Sequence, residues 1–231
     1  MTISIGTVVA GAQYTYPSDT SFNVTCSGSN RAIAVHILSY GNNPVTAITI
    51  NGNTPSSFTA FLEVEGNWSG VFYLTGSGVA NGTNAVVFTP TAVGVYTHYQ
   101  AVPIIGDSGA LSLSGNTNAS DYNAAPTWTV SSATSDLVIA PWWTSNLSTT
   151  VSVSSPGVED SRINTRDFSN MFCWHEAGAS SVTLDGTSSG SMIWSGTGFS
   201  VHEASGGTVA LGGSASTSAQ TAPSSTVSIG L

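Results

Sequence analysis

The sequence predicts an all-β protein, an antiparallel β-sandwich of jelly-roll-like form, and three observations carry that expectation. Helix formers are scarce: lysine is absent, and no long segment repeats apolar residues at the 3.6-residue helical period. Strand and turn residues stand in their place, with 25 glycines, 9 prolines and abundant Ser, Thr, Asn and Val. Short apolar or alternating runs recur between turn signals with no helical crossover between them, which favours antiparallel pairing.

Taken in order, residues 1–6 read as a strand from the start and carry no basic, apolar leader, so the chain is expected to be used without secretory processing. Residues 31–40 are apolar on both alternating faces, as a central strand covered on both sides requires. Residues 45–50 lead into Asn51-Gly52, a type I′ turn signal, and residues 58–64 are expected to return as the second strand of the best-marked hairpin. Strands follow at 71–75 and 85–89, then at 93–104, where Tyr96, His98 and Gln100 share one face and Val95, Thr97, Tyr99 and Ala101 the other. Beyond a polar loop at 115–125, strands are expected at 127–131, 136–143, 149–154, 171–175, 181–184, 191–194 and 199–202. No boundary shows, so residues 1–205 read as one large sandwich domain. The Gly/Ser-rich segment 206–231 reads as an extension docked on its own sheet or on a neighbouring subunit.

Composition narrows the function. Charged residues make up 6% of the chain, against the roughly 25–35% usual on the surface of a freely soluble small domain. The net charge of -9 still opposes unspecific association. So few acid/base groups argue for a structural or binding part, not an enzyme, and no cofactor is expected. Nucleic acid is not expected as a partner, because DNA binders neutralise about 6–10 phosphates and the cations here are Arg31, Arg162 and Arg166 alone. Membrane insertion is not expected, since no apolar run approaches roughly 20 residues. Cys26 and Cys173 could form one long-range disulfide, but a cytosolic origin favours buried free thiols.

The order of strand and turn signals, from residues 29–35 through 45–52, 71–75, 82–89 and 135–139 to 192–195 and 199–202, resembles a loose family of β-sandwich virion proteins of tailed bacteriophages and related prophages. The resemblance covers roughly residues 29–204. It implies a head decoration or cement protein, assembled in the host cytoplasm and exposed on the particle, that contacts the major capsid protein or other virion proteins and forms homo-oligomers. A tail or fibre module holding host glycans is the alternative. The resemblance implies no catalytic residues.

Several constellations need weighing. Gly106-Asp107-Ser108-Gly109 looks like a chymotrypsin-type nucleophile loop, but half the chain precedes it without that family's His motif, so a polar turn is expected. Residues 186–190 fit G-x-S-x-G without a following helix and read as a hairpin loop. Cys173 and His175 share a strand face and could hold zinc only with a third donor such as His36, His98 or His202. Glu159, Asp160 and Asp167 are weak calcium candidates, because Arg162 and Arg166 beside them more simply make ion pairs or a neighbour contact. Glu63 and Glu65 read as a solvated strand edge. Adjacent Trp142 and Trp143 must face opposite sides of a strand, so one is expected to pack inward and the other to be exposed, as a subunit contact or a sugar-stacking platform.

Overall fold

The structure, a computed structural model, describes residues 2–15, 19–41, 43–58, 61–62, 67–91, 95–107, 109–123, 125–145, 151–154, 156–164 and 170–204. In chain order the first-half strands are β1 (Ile3–Ile5), β2 (Val9–Thr15), β3 (Thr20–Cys26), β4 (Asn30–Ser39), β5 (Val45–Ile50), β6 (Ser56–Ser57), β7 (Phe61–Leu62), β8 (Trp68–Thr75), β9 (Gly82–Pro90) and β10 (Val95–Gly106). Those of the second half are β11 (Leu111–Asn123), β12 (Thr127–Ser131), β13 (Leu137–Thr144), β14 (Val151–Val153), β15 (Val158–Asn164), β16 (Asn170–Ala177), β17 (Ser181–Ser188) and β18 (Met192–Glu203). The all-β expectation holds, and the ladders are antiparallel.

The pairing divides what reads in the sequence as one sandwich into two. In the first half, a sheet ordered β1-β10-β4-β8-β6, with β2 also on β10 and β7 also on β8, faces a sheet β3-β9-β5. In the second half, β11-β18-β13-β16-β15 faces β12-β17-β14. Replacing β1 and β2 by β11, β3 by β12, β4 by β13, β5 by β14, β6 and β7 by β15, and β8 to β10 by β16 to β18 converts one pattern into the other. Each unit therefore orders its strands first-last-third-sixth-fifth over second-seventh-fourth, which is jelly-roll connectivity.

The equivalence extends to register. Strands β10 and β18 are both 12 residues long. Ile3 pairs with Gly106 at the end of β10, and Leu111 pairs with Glu203 at the end of β18. On the adjacent strands Ala34 pairs with Val102 and Ile139 with Phe199. These matched residues occupy one shared core.

That core explains the doubly apolar run at 31–40. On β4, Ala32 and Ala34 face the second unit, in a cluster with Val102, Ile104, Ile139, Phe199 and Val201. Ile33, Val35 and Ile37 face the opposite way, against Val24, Val86 and Phe88 of the three-stranded sheet. Strand β13 does the same, with Leu137 and Ile139 in the shared core and Val138, Ala140 and Trp142 packed on β12 and β17. The large sheets thus lie back to back, each capped by its own small sheet. Burial on both faces is the setting in which a strand loses its polar alternation.

A short turn joins the units. Gly109 N–H donates to Glu203 Oε1 at 2.7 Å, and Ala204 N–H donates to Ala110 O at 3.0 Å. A Cβ on Gly109 would stand 1.7 Å from Ala204 O, so only glycine fits the approach.

The expected hairpin at Asn51-Gly52 is corrected. The turn itself forms, with φ of 51° and 74°, as a type I′ turn needs. It closes only the bridge between Ile50 and Asn53, and β5 pairs along its length with β9 instead. Asn51 holds the turn to β9 by donating to Asn84 Oδ1 at 2.6 Å and accepting from Ala85 N–H at 3.0 Å. The chain then crosses to the large sheet, where β6 and β7 join β8. Turn chemistry set the bend, and burial set the partner.

Cys26 and Cys173 are free and buried in different core clusters, Cys26 inside the first sandwich and Cys173 between the large sheets. Burial raises both thiol pKa values, and Asp160 raises that of Cys173 further. An aromatic disulfide reagent is expected to label neither thiol in the native protein and both in denaturant. Stoichiometric labelling under native conditions would contradict this packing. Glu63, Glu65 and the segment 206–231, with its expected docking, lie outside the described residues.

Candidate interaction surface

Trp142 and Trp143 do face opposite sides of β13, but both are 0% exposed. The expectation that one of the pair is exposed is therefore corrected. Trp142 stacks on Phe172 with centroids 4.4 Å apart, and meets Trp174 edge-on at 4.6 Å. Trp143 packs with Leu38 and Met171 between the large sheets. A strand at the surface of one sandwich would show one indole to solvent; β13 is covered on both faces, so neither can serve as a platform or subunit contact.

The charged residues Glu159, Asp160 and Arg162 lie on β15 and form separate pairs. Arg162 makes a fork on Glu159, with Nε and Nη2 at 2.8 and 2.7 Å from the two carboxylate oxygens. It also donates to Val151 O at 2.6 Å and lies 4.7 Å over the Phe172 ring. This is a clamp that ties β15 to β14, and hydrogen bonding to Glu159 raises the guanidinium pKa. Asp160 faces the other way and holds His175 Nδ1 at 2.7 and 2.8 Å. Glu159 and Asp160 thus serve different partners, and among the described residues no three His, Cys, Asp or Glu side chains gather into a metal-holding group. Arg166 and Asp167 lie outside the described residues.

The two His-Glu-Ala triplets, 175–177 and 202–204, have parallel fates that the sequence did not reveal. Each histidine takes an aspartate, His175 with Asp160 and His202 with Asp136 at 2.8 Å. Asp136 also accepts from Ser200 at 2.6 Å and from Ala133 N–H at 2.9 Å. Burial alone would raise the Asp136 pKa, but the hydrogen bonds from Ser200, His202 and Ala133 outweigh it and lower the value. Glu203 holds the inter-unit turn, the Gly106-Asp107-Ser108-Gly109 loop, whose Ser108 lies outside the described residues. Gly186, Thr187 and Ser188 continue strand β17 as part of a ladder with β14, so the G-x-S-x-G match begins in a strand.

Histidine and glutamine line the polar end of the contact between the large sheets. His36 is buried, its Nε2 3.0 Å from Ser69 Oγ, and Gln100 Nε2 donates to Ser161 Oγ of β15 at 3.1 Å. The second of these bonds fastens one unit to the other.

The outward faces of the two small sheets are nearly free of charge. On the outer face of β12-β17-β14, Thr129 Oγ1 lies 3.1 Å from Thr183 Oγ1, Ser152 Oγ lies 2.9 Å from Thr187 Oγ1, and Thr127 bonds Asp185. The outer face of β3-β9-β5 presents Ser21, Asn23, Thr25, Thr83 and Ala85. Asp185 is the one charge among the described outward positions of these two sheets. Strict alternation places apolar partners beneath: Trp128, Val130, Val182 and Leu184 on one side, Val24 and Val86 on the other. Tyr122, at 66% exposed, is the most open large hydrophobic side chain of those described. Comparison of the chain with protein-family models, with curated proteins and with solved structures finds no match.

Proposed function

We propose that the protein is a non-enzymatic virion component of a tailed phage, a decoration or cement protein that coats the head through neutral β-sandwich contacts. The observation that carries this reading is the pair of outward sheets, hydroxyl-bearing and almost free of charge, presented on opposite sides of a four-layer stack. Such faces make contacts by complementarity and hydrogen bonding, with little long-range steering and little dependence on salt. The side chains best suited to chemistry support the reading by where they are spent: Asp136, Asp160, His175, His202 and Glu203 join strands and turns. A glycan-binding tail module would need a platform other than Trp142 or Trp143.

Gold-labelled antibody against the protein, applied to intact particles, tests the proposal. Label distributed over heads, and retained from about 0.05 to 0.5 M salt, is the expected outcome. Label confined to tails, or particles without label, would overturn it.

A further inference from the structure

A proline opens a cleft beside β3. Pro103 lies near the end of β10, and its carbonyl accepts from Gly6 N–H at 2.9 Å, so its backbone polar side faces the neighbouring edge strand. There it has no N–H to give in return. The edge is accordingly split: β1 pairs with residues 104–106 of β10 and β2 with residues 95–101, while residues 6–8 run outside both ladders. The second unit has an irregularity at the matching place, opposite Ser200, between Ser114 and Thr117 of β11. There the chain lies against β12, where a Cβ on Gly115 would stand 3.0 Å from Ser131 O. In the first unit the space stays open, as a cleft of about 420 Å³ between residues 6–9 and β3.

The lining says what such a cleft takes. Thr7, Asn23, Thr25 and Ser27 bring three hydroxyls and an amide to it, and Val9 with Ile105 forms an aliphatic wall. All four polar residues are exposed, and among the described residues no hydrogen bond occupies their side chains. Hydroxyls on the opposite small sheet are paired with one another, Thr129 with Thr183 and Ser152 with Thr187. No charged side chain is among those lining the cleft. Arg31, the only arginine or lysine in residues 1–106, is turned to the carbonyls of Gly28, Ser29 and Val79. An anion would therefore meet no counter-charge, and a wholly apolar ligand would strip water from polar groups without replacing it. A sugar ring meets both demands, with hydroxyls for the rim and a C–H face for the wall. The volume lies within the roughly 300–1,000 Å³ of small-molecule sites.

We propose that this cleft binds a single neutral hexose ring, with Asn23 and Thr25 hydrogen bonding its hydroxyls and with Val9 and Ile105 against its C–H face. The inference goes beyond the virion reading and does not need it, since particle labelling and sugar binding fail separately.

Amide NMR on the isotope-labelled full chain supplies the test. Glucose, galactose, mannose and N-acetylglucosamine are each added to about 50 mM, which brings affinities of millimolar order within reach. Glucose 6-phosphate serves as the charged control. At least one of the four neutral sugars is expected to shift the signals of residues 6–9, 23–27 and 105 saturably, and to bind more tightly than the phosphate. Asn23→Ala should weaken that sugar about fivefold, the loss of one good hydrogen bond. Thr25→Trp, which fills the cleft, should abolish binding, and Thr129→Ala on the opposite small sheet should leave it unchanged, all with unaltered circular dichroism. No saturable shift with any of the four, shifts centred elsewhere, tighter binding of the phosphate, or full affinity in Asn23→Ala and Thr25→Trp would overturn the proposal.

Discussion

Replacing Trp142 with alanine is expected to cost about 3–5 kcal/mol, the range for removing a large aromatic from a core. The indole is 0% exposed and sits where Phe172, Trp174 and Trp128 converge, with centroids at 4.4, 4.6 and 6.3 Å. Its neighbours cannot readily collapse into the gap. Gly196 lies against the Trp142 Cβ on one side, and Trp128 is stacked between Trp174 and Trp194 on the other. For a chain of this length the loss corresponds to a fall in Tm of roughly 10 °C, read by calorimetry. A shift under about 2 °C would mean that the four-layer packing around β13 is wrong. The same variant would be nearly silent if the indole stood on the surface.

Acid is expected to weaken the fold earlier than carboxylate titration alone would. Burial pushes the pKa of His36 down to about 3, so the folded protein keeps the imidazole neutral where the unfolded chain, near 6.5, takes up a proton. Protons therefore favour unfolding: the contribution is complete above pH 6.5 and is lost as pH falls toward 3. Between pH 6.5 and 4 the loss is roughly 3 kcal/mol by the usual conversion. Urea unfolding at pH 7, 5.5 and 4, compared with His36→Gln, checks this, because the variant lacks the titrating ring and should show a flatter profile. Asp136, whose carboxylate is stabilised in the fold, loses its contribution only lower, below the usual carboxylate range. Glu176, raised by burial and then by Asp185, acts in the opposite sense. The difference between the two proteins, not the raw slope of either, isolates His36. Parallel profiles would show that the imidazole is hydrated.

Strand identity was legible because each strand carries its own record of burial. The run at 31–40 announced a doubly covered strand, and 93–104 announced two faces; in β10 the face of His98 and Gln100 also carries Val102 and Ile104 into the shared core, while Ala101 packs the other way. Partner choice was not legible. Asn51-Gly52 is as strong a local hairpin signal as the chain contains, and it closes one bridge before the backbone leaves for another sheet. Burial of Ile48 and Ile50 against Val86 and Phe88, with the hold of Asn51 on β9, goes with that choice, and both are long-range. The duplication was hidden for a related reason. Equivalent positions preserve direction and not identity: Ala34 answers to Ile139, Val71 to Cys173, and Val102 to Phe199. Alternation survives such exchanges, while residue-by-residue likeness does not.

The site residues were misjudged where layer count mattered. Two adjacent tryptophans in a strand face opposite sides; a single sandwich would leave one face wet, and a stack of four layers leaves Trp142 and Trp143 both covered. The aspartates were harder still. Asp136 lies 64 residues from Ser200, and Asp160 lies 15 from His175, so no local motif joins them. The His-Glu-Ala triplets were the one available signal; both lie in the second unit, and each histidine meets its aspartate only through the fold.

The closure of each unit by its own first and last strands has a consequence for synthesis. Because β1 and β2 wait for β10, and β11 waits for β18, neither roll can shut until about a hundred residues have emerged, and the early one shuts first. From that moment until its sibling is finished, the wall bearing Ala32, Ala34, Val71, Val102 and Ile104 stands greasy and bare in the cell. A ribosome-bound half of this kind is a magnet for holdase chaperones and for other nascent copies. Slow codons or a pause between the two halves would lengthen that dangerous interval, whereas rapid translation would let the second half cover the first.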